Sequence, residues 1–175
     1  NSRTAELAKI AEGVYRDVNI ALANELLKVA EHYGINFWEM REAAKHQYCN
    51  ILESGNVGGH CIPVYPWFLI NELNVPLIKI ARELNDDMIN YYIKKIDKIG
   101  GKNIGIIGLS YREGVKEKAY SRSIDLIKSL KKKGHDVFGL DPLYSKEEIK
   151  KEFNVNYLDD FSKMDVVILM NKEFR

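Results

Sequence analysis

Cysteine is scarce here: the chain of 175 residues has 2, Cys49 and Cys61. That is too few for a disulfide framework, and no secretory leader is visible, so a reducing cytoplasm is the expected compartment. His60 and Cys61 are adjacent, and no second Cys or His follows them at the spacing of a zinc site, so no metal is expected. An excess of charge of one sign is also lacking. With 26 Lys and Arg against 25 Asp and Glu, bulk charge implies no nucleic acid. The basic run Lys131-Lys132-Lys133 is short and follows an apolar-periodic stretch. It reads as the last turn of a helix, where cations suit the dipole. No apolar run approaches membrane-spanning length, so no membrane is expected. The sequence has no opening methionine and enters a helical pattern almost at once, which leads us to expect a piece of a longer protein.

What is present is led by Val57-Gly58-Gly59-His60-Cys61-Ile62-Pro63. Two glycines let backbone approach a ligand closely, and Pro63 constrains the exit of the loop. A cysteine in such a loop is placed as a nucleophile, its thiolate favoured by a nearby imidazole or lysine. Taken alone, a free cysteine is more often a small buried hydrophobe, and Cys49, outside any glycine loop, is read as structural.

Apolar residues recur at helical spacing over 4–33, and Gly34 follows as a helix-ending glycine. The helix is long, and its small residues Ala5, Ala8, Ala21 and Ala23 suit close packing on a neighbour, a second subunit included. Further helices are expected over 37–45, 67–73 and 76–99, the last stopping at Gly100-Gly101. The pattern then changes. Strands over 103–109, 136–140 and 165–170 alternate with helices over 121–132 and 146–153, the order of a doubly wound parallel α/β domain. The boundary is placed near Gly100. Gly105-x-x-Gly108 lacks the full dinucleotide fingerprint and is weak support for NAD. Ligands of such sheets bind at the carboxyl ends of strands, which puts Ser110, Tyr111, Arg112, Asp141 and Pro142 on the ligand edge; strand-end packing and helix capping are the other reading of each.

Three segments carry a resemblance to the UDP-glucose/GDP-mannose dehydrogenase family. They are Thr4-Ala5-Glu6-Leu7-Ala8-Lys9 running on to Tyr15-Arg16-Asp17-Val18-Asn19-Ile20-Ala21-Leu22-Ala23-Asn24-Glu25; Asn50-Ile51-Leu52 leading to Gly58-Gly59-His60-Cys61-Ile62-Pro63 and Pro66-Trp67-Phe68; and Ala81-Arg82-Glu83-Leu84-Asn85-Asp86. The resemblance implies a helical central dimerisation domain over 1–100 and a Rossmann-like, doubly wound sugar-nucleotide-binding domain over 101–175. That second domain is expected to stop early, near 171–175, and nothing in the sequence corresponds to the family's NAD-binding domain. The family oxidises the primary hydroxymethyl group of a UDP-sugar to a carboxylate with NAD, through a cysteine thiohemiacetal and thioester. By resemblance Cys61 is that nucleophile and Lys9 the cation that stabilises developing oxyanion charge. Val57, Gly58, Gly59 and His60 would lie along the sugar nucleotide, and Arg112, with Tyr111 beside it, would meet it from the second domain. The implied partners are a UDP-sugar and a second copy of the chain.

Several positions depart from the family pattern. One turn after Lys9 the family has asparagine where Gly13 stands, and four residues after Cys61 it has aspartate where Tyr65 stands. Tyr48 takes the place of an arginine, Glu53-Ser54-Gly55-Asn56 that of Pro-Gly-Pro-Gly, and Ala119 that of a cofactor-facing arginine. Two readings stay open at this point: a fragment of an NAD-dependent UDP-sugar dehydrogenase, or a diverged, non-catalytic module that dimerises and binds a sugar nucleotide.

Overall fold

A computed structural model describes residues 1–171; residues 172–175, on which the expected early stop mostly falls, lie outside that range. It forms two compact units, residues 1–88 and the residues from 89 onward.

In the first unit, α1 (Ser2–His32) starts where the Asn1 side chain accepts from Thr4 N at 3.0 Å. It ends at Gly34, whose φ of 68° lets Ile35 N return to Ala30 O at 2.8 Å. α2 (Phe37–Ala43) is capped by Asn36, which accepts from Trp38 N at 2.9 Å. α3 (Tyr65–Ile70) begins two residues ahead of the expected start, because Pro66 sits inside the first turn, where a missing N–H costs nothing. α4 (Pro76–Ile99) runs over the expected residues. The apolar core of this unit is small: Ala23, Ala30 and Phe37, with Leu26, Leu27, Met40 and Ile51 against them.

Its centre is polar. Asp17, Asn24, Arg82 and Asn85 are each fully buried. Arg82 Nη1 donates to Asp17 Oδ1, Asn85 Nδ2 donates to both Asp17 O and Asp17 Oδ1 at 2.8 Å, and Asn24 Nδ2 donates to Asn85 Oδ1 at 2.9 Å. Burial pushes the Asp17 carboxyl above the usual aspartate range, against the pull of Arg82 and Asn85. Among the described residues Asp17 Oδ2 and Arg82 Nε stay without a partner, but the bonds that are made fix one alignment. The network therefore sets the register of α1 against α4 more sharply than apolar packing would.

The second unit is a parallel four-stranded sheet in the order β3-β2-β1-β4, built from β1 (Asn103–Ile107), β2 (Asp136–Leu140), β3 (Asn156–Tyr157) and β4 (Val166–Leu169). β1 stops before the expected end because Gly108 turns at φ 86°. β3, two residues long, is too short to show a period and has no counterpart in the sequence reading. α5 (Arg122–Lys132) is capped by Ser121, and α6 (Lys146–Phe153) by a reciprocal box between Ser145 and Glu148. Ile104 and Ile106 of β1 pack with Leu126, Ile127 and Leu130 of α5, Ile149 and Phe153 of α6, and Ile89, Ile93 and Ile96 of α4. Each such side chain contributes about 1.5–3 kcal/mol of burial. The division between units therefore falls within α4, whose earlier residues Ala81, Arg82 and Asn85 are buried in the first unit.

Candidate active site around Cys61

The stretch ahead of Cys61 has no regular structure and is held by side chains from helices. Asn24 of α1 accepts from Gly55 N at 2.7 Å and donates to Gly55 O at 3.0 Å. Val57 is buried, and Gly59 lies at φ 91°, a conformation that disfavours any side chain. The chain then emerges: His60 and Cys61 are both exposed, and Cys61 is a free thiol. Its carbonyl accepts from Val64 N at 3.1 Å and Tyr65 N at 2.9 Å, so the loop turns directly into α3 at the cysteine. Cys49, by contrast, is half-buried and exchanges backbone hydrogen bonds of 3.0 Å with His46 in a tight turn.

Lys9 of α1 belongs to the same neighbourhood. Its Nζ is 3.0 Å from Glu12 Oε2, and this bond, with the charge of Glu12, holds the ammonium above the usual lysine range; Tyr65 and Cys61 add in the same direction. The ring of Tyr65 lies against Gly13 of α1. The neighbouring Cys61 sulfur, through hydrogen bonding first and its charge second, raises the phenol above the ordinary range. A free thiol, an ammonium and a phenol thus gather at one solvent-facing spot, groups of the kind that can add a thiolate to a carbonyl and receive the oxyanion that forms. Glu12 and Tyr65 were missed as partners in the sequence. The i, i+3 spacing of Lys9 and Glu12 was a visible signal for the first; Tyr65 carried none.

At the sheet's carboxyl edge the structural reading prevails for two residues. Asp141 is buried, and its Oδ2 accepts from Leu109 N at 2.8 Å and Ser110 N at 2.9 Å while Oδ1 accepts from Leu143 N at 3.0 Å. Ser110 is likewise buried. Tyr111 is half-buried and Arg112 exposed, with the guanidinium carbon 5.5 Å from the Tyr111 ring centre, an outward-facing cation on an aromatic. The turn after β1 is a poor dinucleotide cradle, since its amides are already occupied by a carboxylate that would repel a pyrophosphate. Of the other departures, Tyr48 is strongly exposed and Ala119 is half-buried, its N–H donating to Glu117 Oε1 at 2.9 Å. Among the described residues no helix is long and apolar enough to cross a membrane.

Two family models match the sequence. The central domain of the UDP-glucose/GDP-mannose dehydrogenase family covers residues 3–87, and that family's UDP binding domain covers residues 105–174. The UDP-N-acetyl-D-mannosamine dehydrogenase of Methanocaldococcus jannaschii is 41% identical over 97% of this chain and 40% of its own length. That of Campylobacter jejuni is 36% identical over 99% of this chain and 47% of its own. Among solved structures, the UDP-N-acetyl-mannosamine dehydrogenase of Staphylococcus aureus superposes with a TM-score of 0.82 at 33% identity, covering 98% of this chain and 42% of that one. The chain thus spans less than half the length of these relatives.

Proposed function

As the chain belongs to the UDP-glucose/GDP-mannose dehydrogenase family, we propose that it is the central and sugar-nucleotide-binding part of an NAD-dependent UDP-sugar 6-dehydrogenase. The relatives' names favour UDP-N-acetylmannosamine as the substrate. The observation that carries the reading is the exposed Cys61 thiol on its glycine loop, with Lys9 in the same electrostatic cluster.

In this reading the Cys61 sulfur adds to the C6 aldehyde of the half-oxidised sugar. A C–S bond forms, the carbonyl π pair moves to oxygen, and the Lys9 ammonium stabilises that oxyanion. Oxidation of the adduct leaves a thioester, which water cleaves to the carboxylate, freeing the thiol. NAD supplies hydride acceptance, and we place its cradle outside the residues described, since the turn after β1 does not offer one. Val57, Gly58, Gly59 and His60 line the approach to the nucleophile, and Tyr111 with Arg112 supplies a cation-bearing edge suited to the nucleotide's phosphates.

The assembly proposed is a homodimer through α1, acting in the cytoplasm. Leu7, Tyr15, Leu22 and Val29 recur on α1 at near-heptad spacing and all stay exposed, a stripe that a second α1 would cover. The test is NADH formation by the full-length gene product given UDP-N-acetylmannosamine, with Cys61→Ala beside it. Turnover that disappears in the variant is the expected result. Turnover that persists removes Cys61 as nucleophile, and a folded protein that binds the sugar nucleotide without turning it over favours the non-catalytic module.

A further inference from the structure

The loop between β1 and α5, residues 108–121, carries Tyr111 and Arg112 and has no regular structure of its own. Inside it, Tyr111 N donates to Glu117 O at 3.0 Å and Glu117 N to Val115 O at 2.8 Å. The two limbs of the loop thus close on each other at Glu117. The residues on either side of Glu117 both reach α6. Lys116 Nζ donates to Glu148 Oε1 at 2.6 Å and stands 5.0 Å from the centre of the Tyr144 ring. Lys118 Nζ donates to Glu152 Oε2. Glu148 and Glu152 are four apart and so lie on one face of α6, opposite a limb whose two lysines leave on that side.

An isolated exposed ion pair contributes little. Here two of them act on one short limb, and each has a prepared seat. The other oxygen of Glu148 accepts from Ser145 N at 2.7 Å, which fixes that carboxylate before the lysine arrives. Tyr144, under Lys116, packs edge-on against Phe153 of α6 at 5.2 Å between ring centres. The limb ends at Tyr120, whose φ of 57° is a conformation that tyrosine seldom adopts. Such a residue persists only where its surroundings hold it.

We propose that Glu148 and Glu152 are positioning residues for nucleotide binding. Through Lys116 and Lys118 they strap the loop to α6, and the closure at Glu117 passes that placement on to Tyr111 and Arg112. The proposal rests on the reading of Tyr111 and Arg112 as the edge that meets the phosphates of a UDP-sugar. Neither glutamate touches the ligand in this assignment. They raise the fraction of molecules in which the Arg112 edge is already in place, and apparent affinity scales with that fraction.

The test is UDP binding by isothermal titration calorimetry to the full chain, wild type against Glu148→Gln/Glu152→Gln. Glutamine at 148 can still accept from Ser145 N, so the cap of α6 survives. Charge and strap then predict opposite signs. Taking two negative charges off α6 would by itself leave the affinity for an anion unchanged or strengthen it. Loss of the strap should weaken it about threefold to tenfold, with faster amide exchange at Tyr111 and little change in melting temperature. Lys118→Glu should weaken binding as well. Adding Glu152→Lys, a cation suited to the last turn of α6, should restore most of the loss. Equal or tighter UDP binding by the double glutamine variant overturns the proposal, as does a Lys118→Glu defect that Glu152→Lys leaves untouched. The underlying reading fails separately: a wild-type chain that binds no UDP at millimolar concentration removes the nucleotide edge, and the role of the strap with it.

Discussion

Asn24 grips Gly55 by both of its backbone groups, accepting from the N–H at 2.7 Å and donating to the carbonyl at 3.0 Å. The same carboxamide donates to Asn85, so one buried side chain ties the loop that leads to Cys61 to both α1 and α4. Asn24→Ala leaves the half-buried backbone groups of Gly55 and the buried Asn85 Oδ1 without their partner. We expect a loss of about 2–3 kcal/mol in urea unfolding and faster amide exchange at Gly55. Asn24→Asp should be no rescue, because a carboxylate cannot donate to Gly55 O and adds a buried charge.

Arg82 is fully buried against Asp17, with Asp86 3.3 Å from its Nη2. Arg82→Met strands the Asp17 carboxyl and should cost about 3–5 kcal/mol. The sign with pH follows from burial, which already raises Asp17. Removing the cation raises it further. A group raised on folding lends stability that is complete below its unfolded value and is lost as pH rises through the folded one. The variant's melting temperature should therefore fall from mildly acidic to neutral pH.

Asp165 behaves in the opposite sense. Its Oδ2 accepts from Lys102 N at 2.7 Å and Asn103 N at 2.9 Å, and these bonds, that from Asn103 first, hold the carboxyl below the usual aspartate range. Stability from a depressed group is present above its unfolded value and lost as pH falls through the folded one. Thermal melts of Asp165→Asn should show a shallower decline on acidification than the wild type, the two curves converging at the acid end.

Asp141 closes the turn after β1 by accepting from Leu109, Ser110 and Leu143. Asp141→Asn keeps only one acceptor oxygen and should cost about 1–3 kcal/mol. Because the residue is buried, binding of a UDP-sugar by a variant that stays folded should change little, as calorimetry would show. An affinity that collapses while the fold persists would return Asp141 to the ligand edge.

The elements legible in the sequence were those whose hydrogen bonds are local. α4, β2 and α6 occupy the residues that periodicity and punctuation assigned to them, and α5 starts one residue later only because Ser121 caps it. α3 was expected over 67–73, with the helix starting after Pro66, whereas it runs over Tyr65–Ile70 with that proline inside its first turn. β3 escaped because two residues carry no period, and its pairing with β2 supplies what the segment itself lacks.

The candidate site divides along the same line. The glycines around Cys61 and the family motifs singled out Cys61 as the proposed nucleophile, and the motif alone raised Lys9 above a solvated helix lysine. Tyr65 looked like a lost carboxylate and Gly13 like a weakened helix. Each becomes intelligible only beside the other, since the glycine clears the space that the ring fills. Asn24 and Gly55 likewise gave no local sign of their bond. By itself, then, the sequence determined the longer helices and strands and the presentation of Cys61 on a glycine loop, because each depends on neighbours within a turn or two. Tertiary structure alone decided which distant residues stand beside that cysteine and hold its loop, because those contacts depend on surfaces that meet only after the chain has packed.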